Sequence, residues 1–518
     1  MTSRGTLLED KARAKMRLAE ELGRLEGVDW VSITDNAGGN PQLGAVAFGK
    51  AVVQAGKEVV IHLSCKDLNR NGLESAAWQL ASEGFDNLVT LSGDYPASGY
   101  SGRAKPVFDT DSVGLLALLS DMNRGLPATA GASATSALGG RRLQSTNFFL
   151  GAVTTNFKLL EAEVIPQYLK LEKKIELGAH FIINQVGYDA RKCHELRVYL
   201  DNRNLSGTHL IGNVYLLKPK VAEVFHGGRV PGVVVSDALF EEVQRQAQSP
   251  DKGKAFFLEL AARQVAIFRG LGYRGVYLAG VDSADQVSSI LGRAASYGED
   301  DWREFAREIS YSRPGEFFLY APVPETGLVD PTRLNPAYEE SLRHRKSIGG
   351  SSASYAFSKW THDVVFTPGR TLFTIGEKVY GKSRQGDQGP GVLRAMERAG
   401  KSVMFGCKDC GDCSLPDIAF LCPESACAKN ERNGPCGGSR DGMCESRDVK
   451  CMWVRAYERL KREGSEMTLL DHAPVFQDQS LRGTSSWVNT FLGKDHHRKG
   501  PPTDSKPGSK EQGEPTKE

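Results

Sequence analysis

The stretch EVVIHLSCKDLNRNGLESAAWQLASEGFDNLVTLSGD, residues 58–94, decides the fold of this chain. It opens with an apolar run rich in β-branched residues, continues through the amphipathic stretch 72–83, and closes with a second apolar run. A strand, a helix and a second strand in that order form a βαβ unit, in which the two strands pair in parallel. Both runs are continuously apolar, which is typical of strands buried on both faces of a sheet.

The same rhythm extends from residue 28 to about residue 285. Seven strands are predicted, at 28–34, 58–65, 87–94, 147–154, 180–186, 210–217 and 275–281. Seven repeats over roughly 250 residues favour an α/β fold of the (β/α)₈ TIM-barrel type over an open doubly wound sheet. The count is one strand short, because a helix predicted at 7–25 precedes the first strand and only MTSRGT stands before that helix. We therefore expect a first strand upstream of the present start.

Composition divides the chain into four parts. Residues 1–311 are predicted as the barrel, and residues 312–336, with five prolines, as a linker. Residues 337–493 form a smaller cysteine-rich domain, and residues 494–518 lack the aliphatic and aromatic residues that a core needs. This last segment is predicted as a disordered tail. Its two histidines, His496 and His497, could ligate a metal, but a solvated tail is the prediction.

Charge and hydropathy exclude several classes of protein. The formal net charge of +2 favours neither a nucleic-acid surface nor an acidic-substrate funnel. No apolar run approaches the roughly 18 residues that span a bilayer. The N-terminus is charged and lacks the apolar core of a secretory signal, so the prediction is a cytoplasmic protein.

Eight of the ten cysteines fall in one short segment and are predicted as metal ligands. They are Cys407, Cys410, Cys413, Cys422, Cys427, Cys436, Cys444 and Cys451. Eight soft thiolates suffice for two four-cysteine sites, whereas disulfides would need an oxidising compartment. The tight spacing of the first three favours 4Fe–4S clusters, with structural zinc as the alternative. Which four share a site is left open, and Cys65 and Cys193 are predicted as ordinary buried thiols.

Polar residues follow several of the predicted strands, where the loops of a parallel barrel form its open face. They include Asp94 after the third strand, His62 within the second and Gln185 after the fifth. Together they predict a ligand with many hydrogen-bonding edges. Each also has a simpler interpretation, such as a turn cap for Asp94 or a satisfied core histidine for His62.

Four segments give the chain a family resemblance. Residues 28–40 (VDWVSITDNAGGN), 60–65 (VIHLSC), 87–96 (NLVTLSGDYP) and 172–189 (EKKIELGAHFIINQVGYD) resemble strand ends of methylenetetrahydrofolate reductase, in the same order. The second half resembles a cysteine-rich domain associated with this reductase in some bacteria, including acetogens. The resemblance covers residues 4 to about 490.

The resemblance implies a flavin site, with FAD usual in the family and FMN as an alternative. The cofactor-binding positions that it carries over are Thr34, His62, Asp94, Asn156 and Lys174. Asp94 also becomes the catalytic residue, because its charge would tune both flavin and folate. Lys174 would help to hold the phosphate-bearing arm of the flavin, and Gln185 would bind the pterin edge of the folate.

The implied activity is reduction of 5,10-methylenetetrahydrofolate to 5-methyltetrahydrofolate in one-carbon and methionine metabolism. Electrons would come from NAD(P)H or, through the cysteine domain, from an electron-donor protein. One departure is that the family's general-acid glutamate, in a Glu-hydrophobic-x-Pro-Pro-Arg motif, would precede Arg4 and is absent. Two alternatives therefore stay open, a folate-binding methyltransferase partner and a non-catalytic electron-transfer or assembly subunit. Homo-oligomerisation is also left open.

Overall fold

The computed structural model describes residues 3–128, 141–347, 353–381, 391–471 and 474–497. The strands are β1 Trp30–Ile33, β2 Glu58–Ser64, β3 Asn87–Leu91, β4 Phe149–Thr154, β5 Phe181–Asn184, β6 His209–Tyr215, β7 Gly275–Ala279, β8 Tyr320–Val323 and β9 Leu328–Leu334. The helices of the first 311 residues are α1 Asp10–Arg24, α2 Ala45–Gln54, α3 Arg70–Ser82, α4 Ser112–Asn123, α5 Glu161–Glu176, α6 Ala190–Asn202, α7 Pro219–His226, α8 Asp237–Gln246, α9 Lys254–Gly270, α10 Ala284–Ser296 and α11 Asp301–Glu308. Those that follow are α12 Pro336–Arg343, α13 Ala353–Val365, α14 Thr371–Gly381, α15 Gly391–Phe405, α16 Pro423–Ala426, α17 Met452–Glu463 and α18 Ser486–Phe491.

The seven predicted strands of the first half are all present and form one parallel sheet. Its order is β1-β2-β3-β4-β5-β6-β7, and every neighbouring pair is parallel. The sheet curls so that the ring of Trp30 on β1 stacks on Tyr277 of β7, with centroids 5.7 Å apart. Helix α1 packs against both α2 and α10, so the outer ring of helices runs past the two edge strands. The predicted (β/α)₈ class is confirmed, with seven strands in the part of the chain that the structure describes.

Two apolar layers hold the barrel together. A small inner cluster fills the interior of the curled sheet, formed by Val60, Val89, Phe181, Ile183 and Ile211. A much larger cluster lies between the sheet and its helices and continues into the second half of the chain. This continuity fixes the position of the cysteine-rich domain on the barrel.

The segment predicted as a linker, residues 312–336, is instead an antiparallel hairpin of β8 and β9. β9 packs on α6, and the backbone N–H of Leu319 donates to the buried carboxylate of Glu195. Phe318 also stacks against the guanidinium of Arg191, 3.5 Å from the ring centroid. Two of its prolines, Pro322 and Pro331, lie in the strands of this hairpin, so the segment is structured, and its role as a linker to the second domain stays a prediction.

The second half is mostly helical around the cysteine loops. Helix α17 is buried along one face and packs against α5 of the barrel, where Tyr457 donates to Glu161 at 2.6 Å. Residues 494–497 of the predicted tail pack on this domain, where His496 and His497 contact Asp417. Residues 498–518 of the predicted tail lie outside the described residues. Among the helices described, none is long and apolar enough to cross a membrane.

Candidate functional site

The carboxyl ends of the parallel strands bring five of the six predicted barrel residues to one opening, which we call the barrel mouth. Thr34 follows β1, His62 lies near the end of β2, and Asp94 follows β3. Asn156 and Gln185 follow the neighbouring strands β4 and β5, whose Thr154 and Asn184 are register partners. A parallel sheet places these ends at the same edge, which explains why residues distant in sequence converge.

His62 points into the barrel rather than into solvent. Its side chain is 8% exposed, and its Nε2 lies 2.8 Å from the hydroxyl of Ser32, to which Tyr277 also hydrogen-bonds. Burial lowers the pKa of His62 to about 3, so the imidazole is neutral at physiological pH. The neutral ring therefore acts as one member of a Tyr277–Ser32–His62 chain beneath the mouth, and its contact with a flavin stays a prediction.

Asp94 joins the loops after β1 and β3. Its Oδ2 accepts a hydrogen bond from the backbone N–H of Gly38 at 2.7 Å. Gly39 is required beside it, because its φ is +67° and a Cβ there would lie 2.3 Å from the carbonyl oxygen of Tyr95. This contact holds the carboxylate of Asp94 at the mouth, close to the loop that contains Thr34.

Lys66 is a residue of this region that the sequence argument missed. Its side chain is 1% exposed, and its amine donates to the carbonyl of Asp35 at 2.9 Å and to the hydroxyl of Ser64 at 2.7 Å. It also lies 3.7 Å from the carboxylate of Asp35. The sequence did contain a signal for Lys66, since it directly follows the strand end at His62–Cys65. Buried lysines are rare unless they are paired, so a lysine at this position indicates a polar site.

Asn156 and its neighbours leave polar atoms at the mouth without partners. Asn156 is fully buried; its amide donates to the carbonyl of Lys192 at 3.0 Å, while its Oδ1 has no partner among the described residues. The same holds for the buried atoms Thr154 Oγ1 and Asn213 Oδ1 at the ends of β4 and β6. Buried polar atoms without partners are costly unless a ligand or water satisfies them. Of these atoms, Asn213 Oδ1 lies on the inner face of the sheet with Ile211, so it is the one that a polar ligand of the barrel interior would satisfy.

Lys174 is the predicted residue that the structure does not bring to this opening. It is 4% exposed, and its amine donates to the carbonyl of Val153 at 2.6 Å. Burial, and then the nearby ammonium of Lys170, lower its pKa to about 7. Its position on α5 directs the amine to the backbone near the end of β4, and its contact with a flavin phosphate stays a prediction.

The eight clustered cysteines separate into two groups. The first cysteine group is Cys407, Cys410, Cys413 and Cys422, and the second cysteine group is Cys427, Cys436, Cys444 and Cys451. Burial, and then the thiols of Cys413 and Cys422 among nearby groups, raise the pKa of both Cys407 and Cys410. The members of the second group line one small cavity. All ten cysteines lie in the described part of the chain, and none forms a disulfide there. The eight clustered thiols are therefore available to bind metal.

Each group has donors directed at sulfur. In the first group the amine of Lys401 lies 3.8 Å from Cys413 Sγ, and the N–H of Asp409 donates to Cys407 Sγ at 3.4 Å. In the second group the N–H of Gly438 donates to Cys436 Sγ at 3.4 Å. Ammonium and N–H groups near sulfur stabilise anionic thiolate complexes. Each group offers four thiols as candidate ligands of a 4Fe–4S cluster or zinc. Among the described residues no three cysteine sulfur atoms lie within 4.8 Å of one another, so either group would have to draw its sulfurs together around zinc.

The second cysteine group lies on the barrel mouth. The carbonyl of Gly437, next to Cys436, accepts from the buried amine of Lys158 at 2.6 Å. On the other side the amine of Lys429 donates to the carbonyl of Gly93 at 2.7 Å. The sequence argument missed both lysines, which fix this loop to the barrel. Lys429 stands two residues after the predicted metal ligand Cys427, and Lys158 two residues after the predicted flavin-binding residue Asn156.

Close contacts show how far this loop enters the mouth. A Cβ on Gly437 would lie 2.8 Å from Thr155 Oγ1. A Cβ on Gly232 would lie 3.0 Å from Gln185 Nε2 and 3.4 Å from the carbonyl oxygen of Gly437. The turn after Cys436 therefore contacts the segment that follows β4, and Gly232 lies close to both this turn and the predicted folate residue Gln185.

A buried polar network fastens this arrangement. The carboxylate of Asp111 caps α4 through the N–H groups of Val113 and Gly114, and also accepts from the N–H of Asn433 at 2.9 Å. Beside it, Lys170 of α5 and Glu431 form an ion pair of 2.8 Å, with side chains 2% and 1% exposed. Although burial opposes ionisation of Asp111, Lys170 and these hydrogen bonds hold its pKa below the usual range. The cysteine loop is thus fixed to the barrel by charged groups that have little access to solvent.

Two family matches fall on the two halves of the chain. Residues 11–120 match the family described as methylenetetrahydrofolate reductase, and residues 391–479 match the one described as methylene-tetrahydrofolate reductase C terminal. The chain thus joins a region similar to methylenetetrahydrofolate reductase to a region similar to the C-terminal domain of that family. The first match contains Thr34, His62 and Asp94, and the second contains both cysteine groups. The resemblance drawn from the sequence is confirmed.

Further comparisons add little. No curated protein matches the chain. Among solved structures, a similar one is described as an uncharacterized protein from Clostridium thermocellum that binds two copies of 5-methyl-5,6,7,8-tetrahydrofolic acid. It shares 12% sequence identity with this chain, covers 56% of it and 91% of its own length, and has a TM-score of 0.39. At that TM-score the similarity carries no conclusion about this chain.

Proposed function

We propose that this chain reduces 5,10-methylenetetrahydrofolate to 5-methyltetrahydrofolate with a flavin at the barrel mouth, and that metal clusters in the two cysteine groups supply the electrons. The observation that supports the proposal is the position of the second cysteine group, whose Gly437 turn contacts Thr155 and Lys158 in the segment after β4. A redox centre at this position would lie beside any ligand of the mouth. Structural zinc alone would not need that position.

The barrel residues have roles that follow from their geometry. A bound flavin supplies hydride from its N5 atom. Gln185 uses its Oε1 to accept from the N–H of Val186 at 2.9 Å, which leaves its Nε2 to donate to the pterin edge. Asp94, held by Gly38, would offer a carboxylate to the flavin and the folate, and Oδ1 of Asn156 would be available to accept a hydrogen bond from the flavin.

The route of the electrons runs from the first cysteine group to the second and then to the mouth. Cys413 of the first group lines a large open cavity in the C-terminal domain, whereas the second group faces the barrel. A small donor protein such as a ferredoxin, or a partner dehydrogenase, would deliver electrons at the first group. Direct reduction by NAD(P)H is the alternative, and it requires access to the part of the mouth that the Gly437 turn occupies.

The test is an anaerobic ultraviolet–visible spectrum of the full chain with iron, zinc and flavin assayed on the same sample. We expect flavin bands together with iron near eight atoms per chain, about the number in two 4Fe–4S clusters. Turnover is then measured with methylenetetrahydrofolate and either reduced ferredoxin or NADH. The proposal predicts faster turnover with ferredoxin.

Other outcomes would decide against the proposal in distinct ways. Zinc in place of iron, with turnover on NADH, would make the cysteine domain structural. Binding of methyltetrahydrofolate without flavin would favour a methyltransferase partner. Flavin and iron without turnover would favour an electron-transfer or assembly subunit.

A further inference from the structure

A second group of ionisable side chains lies in the C-terminal domain, away from the barrel mouth. It contains three carboxylates and two imidazoles, those of Asp412, Asp417, Asp495, His496 and His497. The sequence argument assigned both histidines to a solvated tail. In the structure the side chain of His496 is only 9% exposed and that of His497 is 33% exposed. That assignment is wrong, because the carboxylates draw this end of the chain onto the domain.

Asp417 is the centre of the group. One of its carboxylate oxygens lies 2.9 Å from Nε2 of His496, and the other lies 3.0 Å from Nε2 of His497. The two imidazole rings are stacked, with centroids 4.0 Å apart. Each histidine therefore directs the same ring nitrogen at the same carboxylate.

The opposite ring nitrogens are held by the other two carboxylates. Nδ1 of His496 bonds to Oδ1 of Asp412, and Nδ1 of His497 lies 3.4 Å from Oδ2 of Asp495. Histidines that ligate metals commonly donate their second N–H to a carboxylate, which fixes the tautomer and the ring orientation. Asp412 and Asp495 supply this support to both rings.

The carboxylates of this group are buried, so they need a positively charged partner. The side chains of Asp412 and Asp495 are each 1% exposed. One oxygen of each, Oδ2 of Asp412 and Oδ1 of Asp495, is buried without a hydrogen-bond partner among the described residues. Three carboxylates thus surround two imidazoles within a few ångströms, a concentration of oxygen acceptors that a divalent cation would balance.

We infer that Asp417, His496 and His497 form a binding site for one divalent transition-metal ion, with zinc as the first candidate. Two imidazoles and one carboxylate are a ligand set that zinc uses when it keeps an open position. Their ligand atoms lie within 4.8 Å of one another. Metal–ligand bonds of about 2.0–2.2 Å require only small shifts of these side chains, and the ion replaces the protons between Asp417 and the two Nε2 atoms.

The open position of such an ion would face a cavity of about 710 Å³. Asp417, His496 and His497 form part of its wall, and much of the remainder is aromatic, including Phe420 and Trp487. An ion with three protein ligands can bind water or an oxygen donor of a small molecule in its remaining position. The site would therefore suit an aromatic or aliphatic ligand with an anionic end group.

The test uses the full chain, purified anaerobically and titrated with Zn²⁺ alone. Wild type and three variants are compared for bound zinc by mass spectrometry and for affinity by calorimetry. We expect His497→Gln and Asp417→Asn to bind one zinc fewer than wild type. His344→Gln, at an exposed histidine just after α12, should bind as wild type does.

A fourth variant distinguishes the proposed metal ligands from Asp495, which only holds the ring of His497 in place. Asp495→Asn should retain the site with zinc affinity about 10- to 100-fold weaker, because it removes only the partner of His497 Nδ1. Iron content and melting temperature report folding in every variant. Because His497 is partly exposed, His497→Gln should fold even where Asp417→Asn does not.

Equal zinc stoichiometry in wild type and His497→Gln would overturn the inference. The group would then be an ion-pair network that fastens the chain end. Metal bound at the cysteine groups does not affect this comparison, since all four variants retain all eight thiols.

Discussion

Each of the two cysteine groups contains four cysteines, but the two groups have different surroundings. The first group adjoins an open aromatic-lined cavity and the histidine site, with Asp412 standing between Cys410 and Cys413 in sequence. The second group is pressed against the barrel mouth by Lys158, Lys429 and the Gly437 turn. A structural metal site needs no such difference, whereas an electron relay needs one end open to a donor and one end close to the acceptor.

The largest expected effect comes from removing cysteines in pairs. Cys407→Ser/Cys422→Ser removes two ligands of one group and should leave about half of the bound metal, since each group supplies four of eight thiolates. Cys422→Ser/Cys427→Ser removes one ligand from each group and should lose nearly all of it. Iron and zinc assays on matched preparations measure both.

Cys193→Ser, at a buried barrel thiol, is the control and should retain all of the metal. If Cys422→Ser/Cys427→Ser also retained half, the two residues would share a site and the division would be wrong.

The next largest effect concerns the pair that fastens the second group to the barrel. Lys170→Met leaves Glu431 buried without its partner and should lower the free energy of unfolding by about 3–5 kcal/mol. Replacing both residues with apolar ones should recover most of this loss, because it removes both buried charges. Denaturant unfolding measures the change.

Arg303→Met, at an exposed ion pair with Asp300, serves as the matched control and should change stability by less than about 1 kcal/mol. Equal effects at the two pairs would show that the interface does not hold Lys170 and Glu431 out of water.

His62 should make the barrel sensitive to acid. Its folded pKa of about 3 lies below the ordinary value of 6.5, so the unfolded chain binds a proton that the folded chain does not. Stability is therefore unaffected above pH 6.5 and falls as pH drops towards 3, by at most about 1.4 kcal/mol per pH unit from this group. His62→Asn should flatten the acid side of a stability–pH profile.

His209→Asn, at an exposed position on β6, should leave the profile unchanged. A profile for His62→Asn as steep as that of wild type would contradict the buried, neutral assignment.

A smaller effect is expected at the turn that enters the mouth. Gly437→Ala introduces a Cβ at φ +87°, 2.8 Å from Thr155 Oγ1, and should cost about 1–3 kcal/mol and slow electron delivery. Gly369→Ala has a similar φ of +85° but no atom within 4 Å. It therefore controls for backbone strain, and equal rates in the two variants would remove the Gly437 contact from the account.

Local sequence signals predicted the barrel well and the second half poorly. All seven parallel strands follow from apolar, β-branched runs, and the βαβ rhythm fixed their order. The hairpin of β8 and β9 was missed because its prolines resemble those of a linker. His496 and His497 were missed because their partner Asp417 lies about 80 residues away, a separation that no local pattern reports.

The site was predictable to the extent that strand ends define it. Thr34, His62, Asp94, Asn156 and Gln185 were placed by topology, whereas Lys174 was assigned by resemblance and is turned towards β4. The division of the cysteines could not be read from spacing, because Cys422 and Cys427 are near neighbours in sequence and belong to different groups. Long-range packing decides both.

The most direct test of the account follows reduction of the bound flavin by anaerobic stopped-flow, with reduced ferredoxin as donor. Wild type and Cys193→Ser should reduce the flavin at the same rate. Cys436→Ser should lose this phase even where the first cysteine group keeps its metal. Flavin reduction at the wild-type rate in Cys436→Ser would contradict the claim that the second cysteine group delivers electrons to the barrel mouth.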